Sequence, residues 1–126
     1  MFKSNFQKTL LDLANGICLF DCYLEMGGIH TFEDKIHYLQ KALEKDVIAE
    51  DGYVKDANKL YQSILGLNKR VRKADVKEDV AGPVIACWDN AHYIIVDKDK
   101  KVLYDPMGPR VNKYNNITSY RIVEDK

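Results

Sequence analysis

Near residue 80 the apolar pattern of this 126-residue chain changes period, which constrains the fold more than any other feature. Before it, apolar and charged residues alternate with the spacing of amphipathic helices; after it, short runs of Val, Ile and Tyr are broken by turn residues. That order predicts an α+β domain, with N-terminal helices packed on a C-terminal antiparallel sheet. No repeat, low-complexity stretch or Pro/Ser-rich linker divides the chain, so residues 1–126 read as a single domain. A chain of this length buries roughly two-thirds of its unfolded surface and needs no metal or disulfide staple.

Residues 2–13 predict a first helix, with Phe6, Leu10 and Leu13 on one face and Asn15-Gly16 as its break. A second runs from Ile17 or Cys18 to Met26 and stops at Gly27-Gly28. Apart from Asp21 and Glu25 it is apolar nearly all round, which predicts a buried central helix. Thr31 and Asp34 cap a third helix, with Ile36, Leu39, Leu43 and Val47 on its apolar face. After a turn at Asp51-Gly52, Asp56 caps a fourth helix that holds Leu60, Ile64 and Leu65 and ends at Gly66. The predicted strands are 83–88, 92–97, 101–105 and 119–123, with 71–76 a candidate edge strand. The polar break Asp97-Lys98-Asp99-Lys100 makes 92–97 and 101–105 a hairpin.

Nineteen Lys+Arg offset nineteen Asp+Glu, so no net field favours nucleic acid or an anionic membrane as partner. The longest uncharged apolar run, 80–88, is too short to span a bilayer, and the N-terminus lacks the apolar region of a signal peptide. Three cysteines, an odd and small number, point to a reducing cytoplasm rather than a disulfide framework. What remains is how three Cys and three His are used.

Three residues stand at positions with mechanical meaning. Cys18 heads the predicted central helix, where backbone N–H groups lack internal partners and the helix dipole is positive. That placement predicts a lowered thiol pKa and donors for an oxyanion. His92 opens one strand of the hairpin and Asp105 closes the other. A two-residue loop at Asp99-Lys100 sets Ile94 opposite Asp105, which puts His92 and Asp105 on one face, diagonal to each other. A carboxylate so placed can hold an imidazole in one tautomer.

The cysteine at the head of a central helix, followed by "HYIIVD" and "VLYDP", resembles the papain-like cysteine peptidase fold. It most resembles the bacteriocin-leader-processing peptidases, and is also similar to an uncharacterised papain-like family of spirochaete plasmids and bacteriophages. The resemblance covers roughly residues 14–108, with the motif residues at 15–23 and 91–106. It implies Cys18 as nucleophile, His92 as general base and acid, and Asp105 as the group orienting His92, acting on a peptide or protein substrate without a cofactor. Two positions depart from the family pattern. Asp12 stands six residues before Cys18, where the family carries a Gln or similar donor, and Gly16 is followed by Ile17 rather than by the cysteine. They leave open a second reading, an inactive papain-like module that binds a peptide or protein.

Taken singly, these residues have blander roles. Cys22 and Cys87 read as small core residues, and His30 and His37 as surface residues. A metal site of Cys18, Cys22 and His92 lacks the short loop and second ligand pair of structural zinc sites, so no metal is expected. Lys69-Arg70-Val71-Arg72-Lys73, with Asp75, Glu78 and Asp79 after it, reads as a solvated loop. Eight tyrosines suit either a peptide groove or sheet filler. The charge balance favours a groove that binds an extended peptide by backbone hydrogen bonds and apolar pockets.

Overall fold

The two periodicities become two layers in the computed structural model, which describes residues 17–50, 52–88, 92–106 and 116–126. Helix α1 (Cys18–Met26) and α2 (Phe32–Glu44) come first, then α3 (Ala57–Lys59), which runs into a π-helical turn, Leu60–Ile64. Five strands follow: β1 (Lys69–Asp75), β2 (Val84–Trp88), β3 (His92–Val96), β4 (Val102–Tyr104) and β5 (Ile117–Asp125). This is the α+β arrangement that the periodicities predict. The helix expected over 2–13, the Asn15-Gly16 break, Asp51 and the turn at 89–91 lie outside the described residues. No helix among the described residues is long and apolar enough to cross a membrane.

Helix α1 buries Cys18, Phe20, Cys22, Tyr23 and Leu24, as a helix apolar nearly all round must. It stops at Gly27, and Gly28 follows with φ 87°, a backbone conformation that glycine takes without strain. A Cβ on Gly27 would stand 3.1 Å from Leu65 Cδ1 and 3.2 Å from Tyr61 Cε1, so a side chain there would push these two neighbours away by a few tenths of an ångström where the end of α1 packs on the π-turn. There the buried Tyr61 hydroxyl donates to the Tyr23 carbonyl at 2.6 Å.

Thr31 caps α2 as expected, its Oγ1 accepting from the Asp34 N–H at 3.2 Å. The buried face differs from the expected one. Leu39 and Ala42 are buried, whereas Leu43 is 38% exposed. Val47 is buried but lies beyond the helix, after Asp46 turns the chain with φ 59°. Asp56 also caps as expected, accepting from the Lys59 N–H at 3.0 Å. The helix it starts widens after one turn: the Leu65 N–H reaches back five residues to the Leu60 carbonyl at 2.9 Å, and Leu60, Tyr61 and Ile64 are all buried.

The sheet is antiparallel throughout, in the order β1-β5-β2-β3-β4. The last strand therefore inserts between the first two, and β1 and β4 are the edges. Alternation sends Ile85 and Ile95, with the half-buried Val71 and Val123, toward the helices. Val84, Ala86, Ile94, Val96 and Tyr120 form a second cluster on the opposite face. The basic cluster expected as a loop is edge strand β1. Its charges find cross-strand partners: Lys69 Nζ lies 2.8 Å from Asp125, and the Arg70 and Arg72 Nε groups lie 2.9 and 2.8 Å from Glu124. Charged side chains on an edge also discourage pairing with another chain.

Candidate active site

Strand β3 begins where α1 begins, so the start of the strand meets the head of the helix. Ile17 is the N-cap of α1 and Cys18 its first helical residue. Although buried, Cys18 belongs to neither apolar cluster. Its Sγ lies 3.2 Å from His92 Nδ1, a contact joining residues 74 positions apart. On the other side of the ring, His92 Nε2 lies 2.8 Å from Asp105 Oδ1. The three candidate residues thus form one chain of contacts. The acceptor-only carboxylate assigns the ring proton to Nε2, which leaves the Nδ1 lone pair facing the thiol.

The placement of Asp105 depends on an irregularity in the hairpin. The loop is three residues long, not two. Lys100 takes φ 65°, the Lys100 N–H bonds the Asp97 carbonyl at 3.0 Å, and Asp97 Oδ1 accepts from Asp99 and Lys101 at 2.9 Å each. This loop pairs Val96 with Val102, and a regular ladder from there would set Asp105 opposite Tyr93, on the wrong face for His92. Between Ile95 and Val96 the register shifts, and Ile95 pairs with Tyr104. The extra residue, Leu103, is 51% exposed. The bulge restores the register in which Ile94 faces Asp105, so the carboxylate shares the face of His92.

The electrostatics correct one expectation. The head of a helix should lower the Cys18 thiol pKa, yet the thiol lies above its ordinary value. Burial pushes it up most, and the Asp105 and Asp21 charges add to that. The Tyr93 and Cys18 backbone N–H groups pull it down without prevailing. Desolvation of the charged form outweighs the helix-terminal donors because Cys18 is only 3% exposed. The resting pair is therefore a thiol facing a basic nitrogen. Cys22 and Cys87 are buried as expected of core residues, and burial pushes the Cys22 thiol well up. His30 and His37 are exposed, and His30 Nδ1 lies 2.6 Å from Glu25. Among the described residues, no cluster of His, Cys, Asp and Glu is arranged to hold a metal ion.

Sequence reasoning missed three neighbours of the site. The Trp88 ring meets His92 edge-on, with centroids 6.4 Å apart, because the two residues pair across β2 and β3. Lys35 and Tyr104 join Asp21 in a charged cluster on the helix side of the sheet. Two carboxylates on an otherwise apolar helix were the available signal, since buried charges need partners. Beside this cluster an apolar cavity of about 100 Å³ lies between α1 and α2, starting at Ile17 and passing Phe20 and Leu24 to Leu39.

Compared with known protein families, with curated proteins and with solved structures, the chain matches none.

Proposed function

We propose that this chain is a papain-like cysteine hydrolase, cleaving a peptide or amide bond through Cys18, His92 and Asp105. One observation carries the reading: Sγ, the two ring nitrogens and the carboxylate stand in series, at 3.2 and 2.8 Å. A buried thiol, imidazole and carboxylate in hydrogen-bond sequence is the arrangement that nucleophilic acyl transfer requires. The element order, with the cysteine heading an apolar helix against an antiparallel sheet, supports the papain-like fold.

The chemistry follows from the resting protonation. His92 Nδ1 takes the Cys18 proton as sulfur attacks the carbonyl carbon, and Asp105 stabilises the imidazolium that forms. The new oxyanion is met by N–H groups at the head of α1. The tetrahedral intermediate collapses, the C–N bond breaks, and Nδ1–H protonates the leaving amine. A water molecule then loses a proton to His92, attacks the thioester, and releases the acid with the thiol restored.

The near-complete burial of Cys18 favours a second reading, the same fold as a peptide-binding module without chemistry. One experiment separates them. The protein is incubated with a mixture of short unstructured peptides, and new termini are read by mass spectrometry, with Cys18→Ala alongside. Hydrolysis predicts termini that appear only with the native cysteine. If peptides are retained equally by both proteins and none is cut, the hydrolase reading fails.

A further inference from the structure

Helix α2 presents one lysine to three oxygens. Lys35 Nζ lies 2.7 Å from Asp21 Oδ1, 2.6 Å from Glu25 Oε1 and 2.9 Å from the Tyr104 hydroxyl oxygen. Glu25 and the Tyr104 hydroxyl accept hydrogen bonds from the ammonium, while Asp21 Oδ1 sits beside it as an ion-pair partner, buried and without a hydrogen bond of its own. The Tyr104 hydroxyl donates its own proton to Asp21 Oδ2 at 2.8 Å, and its ring lies beneath Nζ, 4.7 Å from ammonium to centroid. The Lys35, Asp21 and Glu25 side chains are only 17, 19 and 15% exposed.

The chain connectivity of this cluster bears on the site. Asp21 lies one helical turn after Cys18, and Tyr104 is bonded directly to Asp105. The Tyr104–Asp21 hydrogen bond therefore joins the helix that carries the thiol to the strand that leads into the carboxylate. We infer that Lys35 and Tyr104 are positioning residues for the Cys18–His92–Asp105 site, clamping α1 to β4 through Asp21. The inference rests on the hydrolase reading above and adds to it the device that holds the two ends of the triad at a fixed separation.

Two physical points support this role over plain stability. Burying charges is costly, and apolar residues of similar volume often stabilise a fold as well or better, so a buried ionic cluster is better suited to fixing geometry. Directional bonds also hold β4 where packing cannot: the strand is a three-residue edge, bulged at Leu103, with only Tyr104 turned toward the helices. A reacting constellation tolerates errors of only about half an ångström, and its supporting hydrogen bonds supply that precision.

The test is the pH profile of Cys18 alkylation by iodoacetamide in the folded protein, read site by site by mass spectrometry. Near neutral pH the rate depends on His92 taking the proton; at high pH it depends on the free thiolate alone. Tyr104→Phe and Lys35→Met should each lower the neutral limb about tenfold and leave the alkaline limb unchanged. Lys35→Arg, which keeps the charge, should stay within about threefold of the native rate. A purely structural cluster would lower the melting temperature and leave both limbs in place, and that result overturns the inference. If Tyr104→Phe does not fold, Lys35→Met and Lys35→Arg decide by the same readout. A native protein whose neutral-pH rate equals that of His92→Ala would overturn the hydrolase reading and this inference with it. A native neutral limb that survives both substitutions overturns the inference alone.

Discussion

Replacing Asp105 with alanine isolates the electrostatic part of the proposed site. When the Cys18 proton moves to Nδ1, positive charge appears on a ring whose Nε2 lies 2.8 Å from the carboxylate, and negative charge on a sulfur 3.2 Å beyond Nδ1. With the ring charge about 4 Å and the sulfur about 8 Å from the carboxylate, an effective dielectric of about 20 favours charge separation by ~2 kcal/mol. The opposing sulfur part of this sum is the same interaction through which Asp105 raises the Cys18 thiol. Each 1.36 kcal/mol on a barrier is tenfold in rate, so Asp105→Ala should slow Cys18 alkylation at pH 7 by about thirtyfold. Asp105→Asn, whose amide oxygen can still accept from Nε2–H, should recover part of that loss. The assay is iodoacetamide labelling of the folded protein under pseudo-first-order conditions, with Cys22 as internal control. A Cys18 rate within about threefold of the native value in a folded Asp105→Ala protein refutes the electrostatic reasoning.

The other expectations concern the ring, the bulge and the core. In His92→Ala the thiol titrates alone, and burial followed by the Asp105 and Asp21 charges holds it above its ordinary value. Its alkylation should be slow at pH 7 and rise about tenfold per pH unit to beyond pH 8.5; a plateau below that pH contradicts the assignment. Deleting Leu103 removes the bulge but keeps Ile95 opposite Tyr104, so Asp105 stays on the face of His92. The deletion should change the Cys18 rate by less than about threefold, and a loss as large as that of Asp105→Ala would show the register argument to be wrong. Tyr61→Phe removes one buried hydrogen bond, while the Tyr23 carbonyl keeps the Gly27 N–H at 3.0 Å. It should cost about 1 kcal/mol, a fall of about 3–5 °C in thermal unfolding, and an unchanged melting temperature would contradict the burial of that hydroxyl.

Caps, turns and strand runs were legible because they are local. Thr31, Asp56 and Gly27-Gly28 each act within a few residues, and their roles follow from side-chain chemistry and backbone freedom. The exposed Leu43 and the π-turn after Lys59 were not legible, because neighbours rather than helical period decide which side chain is buried. Nor does any local signal say that β5 inserts between β1 and β2, since strand order is settled by contacts far apart in the chain. The hairpin shows how two local errors can offset each other. The expected loop was one residue too short and the bulge was missed, yet together the real loop and bulge give the expected pairing near Ile94. The thiol was misjudged because position on a helix is visible in the sequence, whereas the desolvation that outweighs it depends on the finished packing. The Lys35 cluster joins residues up to 83 positions apart, and only the two carboxylates of α1 hinted at it.

The central claim is that His92 makes the Cys18 sulfur a nucleophile. It is tested most directly by labelling all three cysteines of the folded native protein with iodoacetamide at pH 7 and resolving the rates by residue. The account predicts that Cys18 reacts faster than Cys22 and Cys87 and that His92→Ala abolishes the difference. If all three react slowly and accelerate only on unfolding, Cys18 is a core residue and the claim is contradicted.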